Sequence, residues 1–357
     1  MHFQVPSIDL AGGSVTDSRL ASSPLLRRRT RLAYLIANVE MKAVRIHRFG
    51  GPEVIRIEDI PKPVPNAGEV VVKVEAAGVG PWDALIRRGD SALPQTLPLT
   101  LGCDFSGVID SIGSGVERFK IGEEVFGVTA ESFTGACAEY ARAKPSMIAP
   151  KPRTLNYSHA ASVPVVSVTA WQMVFEFARL SAGQSVLIHG GAGNVGGYAV
   201  QFAKQAGAMV ITTAAAGDVS YIRSLGGLGV IDYRASRFEE KVKDVDAVID
   251  TVGGEILERS YGVVKRGGVI VSSSAAPSQE KAHRHGVRAS FFLVEVTAER
   301  LQKITELVDA GRLKTQVGEV LWLDEGRQAH EMLEGAPHRR GKIILKTQSA
   351  HGNRPLT

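Results

Sequence analysis

One stretch narrows the folds open to this chain more than any other: Ser185 to Lys204, SVLIHGGAGNVGGYAVQFAK. Val186 to Ile188 form a short apolar run of the kind that makes a buried strand. Gly191-Ala192-Gly193-Asn194-Val195-Gly196 spells a G-x-G-x-x-G turn. The residues after it carry good helix formers and no breaker. Strand, glycine turn and helix in that order are the context in which this fingerprint binds a dinucleotide. Its glycines let the backbone approach a pyrophosphate closely, and the free N–H groups that open the helix face the phosphates. A P-loop would require Gly-Lys-Ser/Thr at its end, where Gly196-Gly197-Tyr198 stands.

The chain around this motif alternates. From Ser185 onward, expected strands at Val186–His189, Met209–Thr213, Val230–Asp232, Asp246–Asp250, Gly268–Ser273 and Val287–Val294 are separated by helices such as Gly196–Ala206 and Val219–Leu225. This rhythm predicts a doubly wound parallel sheet, an α/β Rossmann architecture. The part from Met41 to about Val163 reads differently. Its β-branched runs (Ala43–Ile46, Val54–Ile57, Glu69–Glu75, Ser106–Ile112, Glu124–Val128 and Ala136–Arg142) are broken by Gly and Pro and predict a partly closed β-barrel. A helix over Val165–Ala178 enters the second domain. Another over Ala298–Ala310 leads to short strands near Val317–Leu323 and Lys342–Leu345, which rejoin the first domain. The expected organisation is therefore a discontinuous substrate domain (41–165 and 299–347) around a nucleotide-binding domain (166–298).

At 357 residues the chain has room for two domains, and 44% hydrophobic residues supply an ample core. No stretch reaches the run of about 18 apolar residues that spans a membrane. The first 40 residues hold five Arg against Asp9, Asp17 and Glu40, so the net charge of +5 falls to +3 beyond them, too little to suggest nucleic acid as the main partner. That segment has no clean periodicity and reads as a disordered extension; an organelle-targeting role and a start codon set too far upstream are the other readings. Two cysteines, Cys103 and Cys137, cannot build a disulfide framework and point to a reducing, cytoplasmic compartment.

The chain from Met41 to about Lys346 resembles the medium-chain dehydrogenase/reductase superfamily, and within it the zinc-free quinone oxidoreductase branch (zeta-crystallin-like). The resemblance is carried by AAGVGPWDALIRRGD at 76–90, LGCDFSGVIDSIGSGVERFKIGEEVFG at 101–127 and VPVVSVTAWQ at 163–172. It continues through the fingerprint, VIDYR at 230–234, VIDTVGG at 248–254 and HRRGKIIL at 338–345. It implies a GroES-like barrel domain, a Rossmann domain, a cleft between them and a homodimer. Zinc members of the superfamily hold a catalytic metal where Gly80 and Cys103 stand here, with a third ligand near Val163–Val165. Neither Gly nor Val can bind a metal, and the four-cysteine structural zinc loop is absent. The chain is expected to hold no zinc, with Cys103 a small buried residue.

The second Rossmann strand ends Thr212-Thr213-Ala214-Ala215 with no carboxylate for ribose hydroxyls, which favours NADP(H) over NAD(H). NADPH-preferring relatives often grip the 2′-phosphate with a Lys and a Tyr. Tyr233 matches the tyrosine, whereas Asp218 occupies the lysine position; Arg223 and Arg234 are possible substitutes. Candidate cofactor contacts are Gly191, Ala192, Gly193, Asn194 and Val195 in the turn, with Ala214, Tyr233 and Val252. Thr169, Ser272, Ser273, Phe291, Gly341 and Lys342 complete the set.

Without a Lewis acid, hydride must go to an acceptor that delocalises the developing charge itself, which favours quinones and α,β-unsaturated carbonyl compounds. Relatives often carry an Asn where Gly80 stands and a Tyr where Leu85 stands, so no proton donor is readable. Gly80, Trp82, Phe133, Trp171 and Phe292 are candidates for an apolar pocket, and Asp83 for a brace of its loop. An enoyl-thioester reductase and a nucleotide-binding sensor with little turnover are the alternative functions. Tyr140-Ala-Arg-Ala-Lys144 spells the Y-x-x-x-K pair of short-chain dehydrogenases, but precedes the fingerprint on an expected strand. His283 and His285 flank an Arg in an expected polar loop, without metal spacing.

Overall fold

Valine-rich runs interrupted by glycine and proline favour short antiparallel strands, whereas apolar runs spaced by amphipathic helices favour a parallel sheet covered on both faces. Both outcomes occur in the computed structural model, which describes residues 39–129 and 132–347. The extension expected over residues 1–40 lies, apart from 39 and 40, outside the described residues.

The first part of the chain runs through β1 (Glu40–Ile46), β2 (Arg56–Pro61), β3 (Val70–Val79), α1 (Pro81–Arg88), β4 (Leu99–Thr100), β5 (Asp104–Ile112), β6 (Glu124–Val128), β7 (Tyr140–Ala143) and β8 (Ile148–Pro150). Two helices follow, α2 (Tyr157–Ala161) and α3 (Pro164–Trp171), the latter continuing as a π-helical turn over Gln172–Phe177. Next comes the alternating part: β9 (Ser185–His189), α4 (Asn194–Gln205), β10 (Met209–Ala214), α5 (Val219–Leu225), β11 (Gly229–Asp232), β12 (Val245–Asp250), α6 (Gly254–Ser260), β13 (Val264–Ser272), α7 (Gln279–His285) and β14 (Arg288–Phe291). The chain closes with α8 (Ala298–Asp309), β15 (Val317–Trp322), α9 (Gly326–Leu333) and β16 (Lys342–Lys346).

Strands β9 to β14 form one six-stranded parallel sheet in the order β11-β10-β9-β12-β13-β14. The order reverses between β9 and β12, which makes the carboxyl ends of these two strands a topological switch point, where such sheets bind ligands. Buried Val186, Leu187 and Ile188 of β9 face helices on both sides, as a parallel sheet requires. A second sheet takes β15-β16-β3-β5-β6-β8, with β7 also on β3, and a small one takes β2-β1-β4. The last two strands thus return to the sheet begun by β3: Ile343 to Lys346 pair antiparallel with Val79 to Ala76. The architecture is α/β, a GroES-like β-domain with a Rossmann parallel sheet.

Local chemistry moved several boundaries. Val54–Ile57, expected as a strand, instead starts in a 3-10 turn over Pro52–Val54, where proline at its first position pre-sets the backbone, and the strand begins at Arg56. The segment holding His283 and His285 is not a loop but the end of α7, capped by the Ser278 hydroxyl at its start and by left-handed Gly286 at its end. The expected strand Val287–Val294 shortens to β14, and Ala136–Arg142 pairs regularly only from Tyr140.

Between α9 and α1 two polar side chains, Arg87 and His330, are buried. The Arg87 side chain, fully buried, donates Nε–H to the Gly50 carbonyl at 3.2 Å and pairs with Glu334. His330, 1% exposed, has neither ring nitrogen hydrogen-bonded among the described residues. Burial, and then the Arg87 charge, hold its pKa down to about 3. A depressed histidine pKa means the unfolded chain takes up this proton first, so the group lowers stability as pH falls from about 6.5 toward 3. His330→Leu is expected to flatten the fall in unfolding free energy between pH 6 and 4 by about 1.4 kcal/mol per pH unit, measured by urea titration. An unchanged slope would contradict a neutral buried His330.

Candidate active site

The glycine turn is built by close approach. A Cβ on Gly196 would lie 2.1 Å from the Gly190 carbonyl oxygen, so α4 can sit this near the end of β9 only with glycine there. A Cβ on Gly191 would meet the Thr212 hydroxyl at 2.0 Å, and that hydroxyl donates to the Ile188 carbonyl at 2.6 Å. Gly193 caps α4 in extended conformation, leaving the first helical N–H groups open.

A cleft of about 760 Å³ opens over this turn. Of the residues expected to contact a cofactor, Ala192, Gly193, Ala214, Tyr233 and Val252 line it, and Gly191, Asn194 and Val195 form the turn and the start of α4. Asp250, buried at the end of β12, organises the neighbouring loops. Its carboxylate accepts from the N–H groups of Val252 and Gly253 and from the Ser272 hydroxyl at 2.7 Å, and its carbonyl accepts from Ser273 N–H. Ser272 and Ser273 are thus tied to Asp250 at the end of β12 and do not line the cleft. The Thr169 hydroxyl donates back to the Val165 carbonyl at 2.7 Å. Beneath the turn, His189 is buried between Thr213 and Ser260, and burial lowers its pKa to about 4.

The cleft also holds residues that the fingerprint does not announce: Asp218, Arg259, His338 and Arg340. Arg340, which lies between α9 and β16, forms an ion pair with Asp218 and sets its guanidinium 4.5 Å over the Tyr221 ring. Arg259 pairs with Glu239 at 2.8 Å. Arg223 and Arg234 are exposed and outside this lining, Arg234 lying 5.6 Å over the Tyr233 ring. The signal for Arg340 was present in the run His338-Arg339-Arg340, but only folding brings it to Asp218.

A second group surrounds the amino end of α1. Gly80 N–H donates to Asp83 Oδ2 at 2.8 Å, so Asp83 closes the first turn of this helix. Lys342, 3% exposed, donates to Asp104 Oδ2 at 2.7 Å, and its Nζ lies 2.8 Å from where a Gly80 Cβ would stand. Burial raises the Asp83 carboxyl to about 6, even though the Lys342 charge pulls it down. Burial also pushes the Cys103 and Cys137 thiols well above their ordinary range. Among the described residues, no group of three or more His, Cys, Asp or Glu side chains could hold a metal ion.

Of the pocket candidates, Trp82 and Phe133 meet edge to face at 6.2 Å. Phe133 adopts φ 53°, a left-handed conformation costly for an aromatic residue, and packs against the cores of both large sheets. The Trp82 indole N–H is buried without an acceptor among the described residues. Trp171 belongs to a separate cluster with Phe175 and Phe202, and Phe292 stacks on Phe177 at 4.3 Å. Phe291 is 40% exposed at the end of β14. Gly341, at φ 122°, lets the chain pass Gly318 just before Lys342.

Comparison with known proteins places this geometry. An alcohol dehydrogenase GroES-like domain model matches residues 66–199, and a zinc-binding dehydrogenase model matches residues 225–345. Mouse quinone oxidoreductase is 32% identical over 324 residues, covering 85% of this chain and 97% of the mouse protein. The chain belongs to the medium-chain dehydrogenase/reductase superfamily, in its quinone oxidoreductase branch. Among solved members, quinone oxidoreductase from Coxiella burnetii is 36% identical with a TM-score of 0.82, covering 87% of this chain and all of that one (100%). A mycobacterial protein solved in complex with NADPH is 28% identical with a TM-score of 0.78, over 86% of this chain and 100% of its own. This dehydrogenase/reductase is an oxidoreductase enzyme acting on a small molecule. No helix among its described residues is long and apolar enough to cross a membrane.

Proposed function

We propose that the protein reduces quinones or α,β-unsaturated carbonyl compounds with NADPH and without zinc. The observation that carries the reading is the cleft itself. The glycine turn offers α4 N–H groups to a pyrophosphate, β10 ends at Ala214 and is followed by Ala215 rather than a carboxylate, and Arg340 lines the same cleft as Tyr233. A guanidinium there matches a 2′-phosphate by charge-assisted hydrogen bonds. The mycobacterial relative solved with NADPH supports the same cofactor.

When bound, NADPH supplies a hydride; the chain's own residues position it and its acceptor. Asp83 braces the Gly80 loop, Trp82 and Phe133 offer an apolar aromatic wall, and the Trp82 indole N–H has a hydrogen bond to give. The donor set does not suit zinc. Gly80 has no side chain, Cys103 is a buried thiol held protonated, and the Lys342 ammonium beside Gly80 opposes a second cation. An acceptor whose conjugation spreads the developing charge fits such a site.

The test is NADPH oxidation by chelator-treated protein against a panel of quinones and enones, with Arg340→Ala alongside. Turnover that survives chelation is expected. The variant should weaken NADPH by about 10–100-fold, while NADH moves far less. Silence over the whole panel, or equal effects on both nucleotides, would overturn the reading.

A further inference from the structure

Asp218 occupies Arg340, the cation that the 2′-phosphate reading requires. The two residues lie on strand connections that belong to different sheets. Asp218 ends the 3-10 turn after β10, and Arg340 precedes β16 of the sheet built on β3. Both line the nucleotide cleft, with side chains 23% and 33% exposed, so a ligand can reach either. Of the other basic side chains there, Arg259 is held by Glu239, and His338 Nδ1 lies 2.8 Å from the Arg339 carbonyl.

We infer that Asp218 is a cofactor-discriminating residue: it competes with a 2′-phosphate for Arg340 and accepts a hydrogen bond from a 2′-hydroxyl, levelling NADPH against NADH. The inference rests on the cleft being the nucleotide site. A phosphate reaching Arg340 must either displace the carboxylate or share the guanidinium with it, and both place two anions side by side. A ribose hydroxyl meets the opposite situation, because Asp218 offers the acceptor that the end of β10 lacks. The guanidinium, stacked on Tyr221, is fixed in place, so the outcome turns on the anion and not on a search by a mobile side chain.

The experiment is direct titration of the full-length protein with NADPH and with NADH, read by nucleotide fluorescence, for wild type, Asp218→Asn and Asp218→Glu. Thermal unfolding of each variant establishes that it folds. Wild type should bind both nucleotides with affinities within about tenfold of each other. Asp218→Asn should tighten NADPH by roughly three- to tenfold and weaken NADH or leave it in place, whereas Asp218→Glu should stay near wild type. The NADPH gain should shrink at high salt. An Asn variant that shifts both nucleotides equally, or does not shift NADPH, would overturn the role of Asp218 while leaving the cleft as the nucleotide site. Wild-type protein that binds neither nucleotide would overturn the underlying reading as well. An Asp218→Asn variant that does not fold would assign the residue to structure and overturn the inference.

Discussion

Replacing Lys342 by methionine is expected to destabilise the fold by about 3–5 kcal/mol, the usual consequence of removing one partner of a buried ion pair. Lys342 and Asp104 are respectively 3% and 1% exposed and 2.7 Å apart, and Asp83 shares the same ammonium. Without it, two carboxylates would stand buried with no counter-charge. The Asp83 pKa, already raised to about 6 by burial, would rise further without the Lys342 charge that pulls it down. Loss of stability should therefore be greatest above pH 6, where Asp83 is driven to ionise, and smaller near pH 5. Lys342→Met with Asp104→Asn should recover much of the loss, because no partnerless charge is left on Asp104. Urea unfolding of the single and double variants decides the point. A double variant no more stable than the single one would show that packing of the lysine stem, and not charge, is what the site needs.

Gly196→Ala is expected to abolish useful nucleotide binding, by about 100-fold or more, and to cost about 1–3 kcal/mol of stability. The added methyl would lie 2.1 Å from the Gly190 carbonyl oxygen and 2.9 Å from Gly191 Cα, all backbone, so no flexible side chain can yield. Helix α4 must retreat from β9, and its free N–H groups retreat from the phosphates with it. Gly217→Ala is the matching control. It lies in the turn before α5 with open space around it, and should bind nucleotide like wild type. Equal behaviour of the two variants in isothermal titration would show that the close approach at Gly196 has no part in binding.

Much of the fold was legible because it is written in local patterns. Periodicity of two or of 3.6 along the chain separates strand from helix, and it located all six strands of the parallel sheet and both expected helices between them. The turn at Gly191–Gly196 was legible for a related reason: a backbone that must approach another backbone admits only glycine. Misplaced boundaries arose where a single residue overrides the pattern. Pro52 turned the start of an expected strand into a 3-10 turn, and the Ser278 and Gly286 caps made a helix of a polar segment.

The charges were another matter. Asp218 looked like a bare acid in a phosphate site, yet its partner Arg340 lies 122 positions away; Lys342 looked like a cofactor contact, yet Asp104, 238 positions away, holds it in the interior. Trp171 and Phe292 looked like companions of Trp82, and the structure gives each its own aromatic neighbours. The amino-acid sequence by itself determined the strands of the parallel sheet, their order and the glycine turn, since propensity, periodicity and close backbone approach act over a few residues; the family followed from a resemblance of motifs. Only the tertiary structure decided which charges neutralise one another and which rings meet. Those pairings depend on where the chain returns to the sheet begun by β3, a consequence of topology that no local pattern carries.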